Sequence, residues 1–286
     1  MTSIARAAES RRADRLFTDP IGEALAALLP SDVTEPIVLA AADPVTPEAE
    51  DGQETPTVRT LARLMPGRTR YFDMKVLQAH AAGCSQVVIL AAGLDSRAYR
   101  LPWDSGTKVF MLDTAEVTAF RTSVAEAARL GPAAGAVNVV ADLSGDWPDP
   151  LLAAGFDQAL DTVWVAEGIL GYLTIGQAER LVSEAARLSG PGSWFLTQYT
   201  DAKAEAVFAA QREQGDDQVR SVARERSRSG LAAIPPGAWL PRNGWEPETT
   251  TLSAWTRQFG RETPAPLDEG SGGGLMWLIA AERSHA

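Results

Sequence analysis

Cysteine is almost missing from this chain: Cys84 is the only one in 286 residues. That excludes an internal disulfide and a cysteine-based zinc site, and Cys84, in a turn ahead of an apolar run, reads as structural. Histidine is nearly as scarce, with His80 and His285 alone. No H-E-x-x-H pair, Walker A loop or G-x-S-x-G elbow occurs, so no metal ligands are assigned. Long apolar runs are lacking too: no stretch reaches the eighteen or so residues a membrane-spanning helix needs, and the start lacks a signal-peptide core. The chain is therefore expected to be soluble and cytoplasmic. Basic charge is in deficit, 26 Lys and Arg against 37 Asp and Glu, for a net charge of -11. Such a field repels phosphate backbones and anionic lipid, so neither nucleic acid nor membrane is expected as a partner.

What is present is a pattern of buried strands alternating with helices. Gln86 to Leu90 is a short β-branched run of the kind buried on both faces of a sheet. It stops at Ala91-Ala92-Gly93, residues small enough to let another molecule approach the backbone. Leu94-Asp95-Ser96-Arg97 then opens a helix. Val109 to Leu112 forms a second strand and ends in Asp113, an acidic residue placed to accept from both hydroxyls of an adenosine ribose. Further strands are expected at Val137–Val140, Thr162–Ala166, Trp194–Tyr199 and Leu275–Ala280, with helices over 115–130 and 176–189. A strand that ends in small residues and feeds a helix is where open α/β sheets bind nucleotide-like ligands.

Val-Val-Ile-Leu-Ala-Ala-Gly-Leu-Asp-Ser-Arg-Ala-Tyr-Arg-Leu, from Val87 to Leu101, resembles the glycine-rich motif of the leucine carboxyl methyltransferase-like enzymes, which use S-adenosylmethionine. Arg68-Thr69-Arg70-Tyr71-Phe72-Asp73, Ala141-Asp142-Leu143 and Ala166-Glu167-Gly168-Ile169-Leu170-Gly171-Tyr172-Leu173 fit the same family in the same order. The resemblance runs from about Ser10 to the end of the chain. It implies an α/β fold: a doubly wound, mostly parallel seven-stranded sheet of the class I methyltransferase, Rossmann-like type, as a single domain over 1–286. A helical lid over about 1–56 and a cap insertion over about 201–245 are expected on it. One departure stands out, since the family usually has glycine where Ala91 stands, and a methyl there crowds the cofactor position.

The resemblance also implies the site. An arginine of the Arg68–Asp73 motif binds the carboxylate of S-adenosylmethionine, with Arg68 preferred over Arg70; the alternative is a surface ion pair with Asp73. Ala91 and Gly93 line the cofactor loop, and Asp113 takes the ribose. Asp142 and Leu143 read the adenine, although Asp142 could instead be a helix cap or turn residue. Glu167 faces the positive charge of the cofactor's amine or sulfonium, and Tyr172 either lines the substrate side or packs as a plain aromatic. Glu167 and Tyr172 are the residues expected to assist the chemistry.

Among the remaining segments, 3–29 has helical spacing, with Asp19-Pro20 as a cap followed by first-turn proline. It reads as a lid or as a helix packed on the sheet. Residues 30–56 are rich in Pro, Asp, Glu and Thr and read as an acidic connection. Helical spacing from Thr57 to Ala82 is interrupted at Pro66-Gly67. Residues 201–230 are charged and helical, Trp239, in a proline-rich loop, is expected to be exposed or folded into the pocket, and Asn243-Gly244-Trp245 leads into a last helix over 252–259.

Methyl transfer to a phenol, whose pKa is about 10, is helped by a base, often histidine, whereas a carboxylate is already ionised and needs none. With His80 placed before the first strand and His285 in the tail, the expected reaction is methyl esterification of a small metabolite or peptide carboxylate, of the secondary-metabolite type. A hydroxyl acceptor on an aromatic or polyketide-like substrate is the first alternative. A non-catalytic relative, kept in view by Ala91, is another. An NAD-dependent oxidoreductase is disfavoured because Ala91-Ala92-Gly93-Leu94-Asp95-Ser96 lacks the third glycine and no Tyr-x-x-x-Lys pair is expected to serve it.

Overall fold

The computed structural model describes residues 1–40, 56–133, 135–213, 234, 238–268, 270 and 272–283. Among the described residues four helices precede the sheet: α1 (Thr2–Ser10), α2 (Pro20–Leu28), α3 (Ser31–Ala40) and α4 (Pro56–Ala81). Then β1 (Gln86–Leu90), α5 (Arg97–Arg100), β2 (Lys108–Asp113), α6 (Ala115–Ala127) and β3 (Gly135–Val140) make one half of the sheet. The other half holds α7 (Pro148–Ala153), β4 (Thr162–Ala166), α8 (Ile175–Arg187), β5 (Trp194–Thr200), α9 (Ala202–Glu213), β6 (Trp245–Thr251), α10 (Leu252–Thr256) and β7 (Met276–Arg283).

The seven strands lie in the order β3-β2-β1-β4-β5-β7-β6. The first five run parallel, and β7 is inserted antiparallel between β5 and β6. The expected doubly wound, mostly parallel sheet is thus present. Strand alternation sends successive side chains to opposite faces, and each face has its own core. Val87, Ile89, Val109, Met111, Val163 and Val165 pack under α1, α2 and α4. Val88, Leu90, Phe110, Leu112 and Trp164 pack with Phe195 and the residues of α8 on the other side. All five positions of β1 and all five of β4 are buried, which explains their unbroken apolar runs. Strand order reverses between β1 and β4, so a crevice opens outside their carboxyl ends.

Four sequence expectations need correction. The interruption at Pro66-Gly67 does not occur: α4 runs through it, with Pro66 inside the helix. Packing overrides the local break, since Ala62 and Met65 are fully buried and the Trp255 indole N–H donates to the Gly67 carbonyl at 3.0 Å. The acidic connection begins later than 30, because Ser31–Ala40 is helical; residues 41–55 lie outside the described residues. Trp245 does lead into helical structure over 252–259, as expected, but the stretch between, given no element from sequence, is the edge strand β6 (Trp245–Thr251), where Pro247 is tolerated. Trp239 is neither exposed nor in the crevice but 2% exposed in the second core. Asp19 caps α2 as expected, accepting from Gly22 N at 2.7 Å. Of the expected cap, residues 214–233 and 235–237 lie outside the described residues.

Candidate active site

The turn after β1 is made by backbone in the left-handed region. Gly93 has φ +52° and Ala91 has φ +51°, a conformation that costs a side-chain-bearing residue about 1–2 kcal/mol. A Cβ added to Gly93 would meet nothing nearer than 3.9 Å, so the loop presents an open cradle. The cradle is pinned from β2, where one Asp113 oxygen accepts from Gly93 N at 2.7 Å and the other from Thr114 N at 2.8 Å.

Two adjoining cavities of about 130 and 340 Å³ share Ala91 and Glu167 in their walls. The inner one is lined by Gly93 with Arg6, Arg68, Arg97, Arg100 and Asp95. The outer one is lined by Asp113, Asp142, Leu143, Gly168 and Tyr172. Nearly every residue expected at the site therefore meets at one sheet edge. Arg70 does not; its guanidinium points to the Leu16 carbonyl, 3.5 Å away.

Electrostatics organise the inner cavity. The Glu167 carboxylate pairs with Arg68 Nε at 2.8 Å and with Arg97 Nη2 at 2.8 Å. Burial would raise its pKa, but Arg97, Arg68 and Arg6 outweigh that and bring it down to about 2. Arg97, 2% exposed, also donates to Asp73 at 2.9 Å and Asp95 at 2.5 Å. Arg100 grips both Asp73 oxygens at 2.7 Å. Asp73 is therefore committed to Arg97 and Arg100, while Arg68 reaches Glu167, so the surface pair Arg68–Asp73 is not formed. Arg6 of α1 joins Asp19 and donates to the Leu94 carbonyl at 2.8 Å, tying the N-terminal helices to the cofactor loop. Guanidinium groups suit such planar, two-point pairing with carboxylates, and buried pairs of this kind fix geometry more than they stabilise.

Asp142 is a turn residue as well as a cavity residue: its Oδ1 accepts from Ser144 N and Oγ at 2.8 and 2.7 Å, which lowers its pKa. Tyr172, 42% exposed, stands in a 3-10 turn at the outer mouth. His80 lies at the end of α4, bonded to the Cys84 carbonyl at 2.8 Å and 3.2 Å from Asp104. That is the opposite sheet edge from the crevice. His285 lies outside the described residues. A Tyr-x-x-x-Lys spacing, Tyr71 to Lys75, also falls away from the site. Tyr71 packs edge-on to Phe72 and Trp255, and Lys75 meets Glu248 at 2.7 Å.

Sequence reasoning assigned no role to Arg6, Arg97, Arg100 or Arg121. A signal existed for Arg121, which shares the buried stripe of α6 with Thr118, Val124 and Ala125: an arginine on an inward face calls for a partner. Among the described residues no cluster of His, Cys, Asp and Glu could hold a metal ion, and no helix is long and apolar enough to cross a membrane.

The chain is similar to known proteins. The family model described as leucine carboxyl methyltransferase matches residues 1–186. A protein of Parafrankia is 38% identical over 271 residues, covering 93% of this chain and 81% of its own length. One from Mycobacterium sp. (strain KMS) is 36% identical over 284 residues, covering 97% and 90%. Both are named for S-adenosyl-L-methionine-dependent methyl transfer. Among solved structures, the plantazolicin methyltransferase BamL, in complex with a triazolic desmethylPZN analog and SAH, superimposes with a TM-score of 0.52 at 8% identity. It covers 89% of this chain and 99% of that one, a likeness of fold alone.

Proposed function

The chain belongs to the leucine carboxyl methyltransferase family, and from that membership we propose that it is an S-adenosylmethionine-dependent O-methyltransferase forming a methyl ester on a small-molecule or peptide carboxylate. The observation that carries this reading is the pairing of Arg68 with Glu167 in the cavity opposite Gly93 and Asp113. A cation and an anion side by side match the α-carboxylate and α-ammonium of an amino-acid-bearing cofactor. When bound, S-adenosylmethionine supplies an electrophilic methyl group on its sulfonium. The protein's part is position and a dry, shaped site. Arg68 would hold the carboxylate and Glu167 the ammonium. Asp113 has acceptor capacity left on both oxygens for the ribose, and Asp142 with Leu143 lines the outer cavity where adenine would lie. Gly93 leaves room, and Ala91 narrows it.

Glu167 is a poor general base in this setting, because a carboxylate whose pKa is drawn down to about 2 holds a proton weakly at neutral pH. With His80 at the far edge, the crevice suits an acceptor that arrives already ionised, and carboxylates do. The second reading, a hydroxyl acceptor, is favoured by one feature: Tyr172 stands at the outer mouth beside Gly168. On either reading α1 acts as a lid, since Thr2, Ser3 and Arg6 form part of the inner wall.

Calorimetric titration with SAH and with NADH tests the cofactor. Binding of NADH without SAH would overturn the reading. Mass spectrometry after incubation with S-adenosylmethionine and panels of carboxylic acids and phenols tests the acceptor. A 14-dalton gain confined to phenols would replace esterification by hydroxyl methylation.

A further inference from the structure

We infer that Arg121 is the positioning residue of the cofactor loop, holding the Gly93 peptide from the side opposite the ligand; this rests on the cofactor reading above. Arg121 is fully buried, and taking a guanidinium out of water costs several kcal/mol before any pairing. The hydrogen bonds it makes are to neutral acceptors, not to a carboxylate: Nη1 donates to the Gly93 carbonyl at 2.7 Å and Nη2 to Asn138 Oδ1 at 2.9 Å. Burial pushes its pKa down while Asp113 and Asp95 push it up, and a guanidinium remains charged throughout the physiological range.

The geometry around Gly93 gives that charge a task. Gly93 N–H is held by Asp113 and Gly93 C=O by Arg121, so both peptide planes beside the left-handed residue are fixed. In a trans peptide the N–H points opposite the C=O. Fixing the Gly93 carbonyl toward α6 therefore turns the Leu94 N–H away from that helix. Leu94 and Gly93 line the inner cavity, whose wall takes nothing from α6. Asn138, on the neighbouring strand β3, braces the guanidinium in the plane that reaches Gly93. The loop is thus preorganised by a strut behind it, and a ligand meets a backbone already set in the conformation it needs.

The test uses the full chain and SAH as the probe. Arg121→Met and Arg121→Gln remove the strut, Arg121→Lys keeps a charge and a donor, and Asn138→Ala removes only the brace. Expected results are an SAH affinity weakened about tenfold or more in the Met and Gln variants, mostly restored in Arg121→Lys, and changed about threefold in Asn138→Ala. Deuterium uptake should rise in peptides covering 91–96 while β4 stays protected. If Arg121→Met does not fold, Arg121→Gln with the Lys rescue decides. Parental SAH affinity in the neutral variants, or uptake rising equally in β4, would overturn the inference. Failure of the parent protein to bind SAH would remove the cofactor reading itself, and this inference with it.

Discussion

Replacing Ala91 by glycine separates two effects that this position combines. Its backbone sits at φ +51°, where an L-residue pays about 1–2 kcal/mol. Glycine removes that strain but loosens the unfolded chain, which returns about 0.4–1 kcal/mol to the unfolded side. The net gain is roughly 0.5–1 kcal/mol, a rise in melting temperature of about 1–4 °C for a domain of this size. The strain exists with and without ligand, so its relief changes stability and leaves affinity alone. The methyl group is different: it stands in the wall common to both cavities, and crowding there acts only when a ligand is present. Ala91→Gly should therefore also tighten SAH binding, by about threefold or under 1 kcal/mol. Scanning calorimetry gives the first quantity and titration calorimetry the second. An Ala91→Gly variant that melts below the parent would refute the strain argument. A higher melting temperature with unchanged SAH affinity would keep the strain and discard the crowding.

Four further expectations follow from the same geometry. Asp113→Ala leaves Gly93 N–H and the ribose side of the site without an acceptor, and SAH affinity should fall about tenfold or more by calorimetry. Arg68→Ala should weaken SAH binding while Arg70→Ala, whose side chain reaches the Leu16 carbonyl instead, stays near the parent; the reverse order would reassign the carboxylate contact. Glu167, with its pKa drawn from 4.5 to about 2, stabilises the fold fully above pH 4.5, by roughly 3 kcal/mol, and that contribution is lost as pH falls from 4.5 toward 2. Glu167→Gln should flatten acid unfolding across that window and lower neutral stability; a parent-like acid profile would count against the network. Gly67→Ala gains about 1 kcal/mol in helix propensity but places a Cβ 2.1 Å from Thr256 Cγ2, and overpacking at about 1–3 kcal/mol should make the variant less stable in urea melts.

The parts of the fold readable from sequence are those where burial is two-sided. β1 and β4 are buried at every position, so their residues cannot alternate with polar ones, and the runs 86–90 and 162–166 stand out. β6 is an edge strand with one buried residue, Trp245, among Glu, Pro and Thr, and no periodicity marks it. α4 carries a proline whose helix-breaking tendency is overruled by contacts with α10, far away in sequence. The site divides the same way. Gly93, Asp113, Asp142 and Glu167 sit at strand ends, where position along the chain tells position in space. Arg6, Arg97 and Arg100 reach the crevice, and Arg121 the back of its loop, from helix faces, and only the folded packing shows which carboxylate or carbonyl each one meets.

The place of β7 has a consequence for synthesis on the ribosome. It is hydrogen-bonded along both sides, to β5 and to β6, yet it is translated after both of them. Until it emerges, β5 keeps a bare edge of unpaired amides and carbonyls, and β6 has no partner at all. The nascent chain can gather its nucleotide-binding half early but must wait with a sticky seam exposed, the interval in which chaperone capture or mispairing between chains competes with completion.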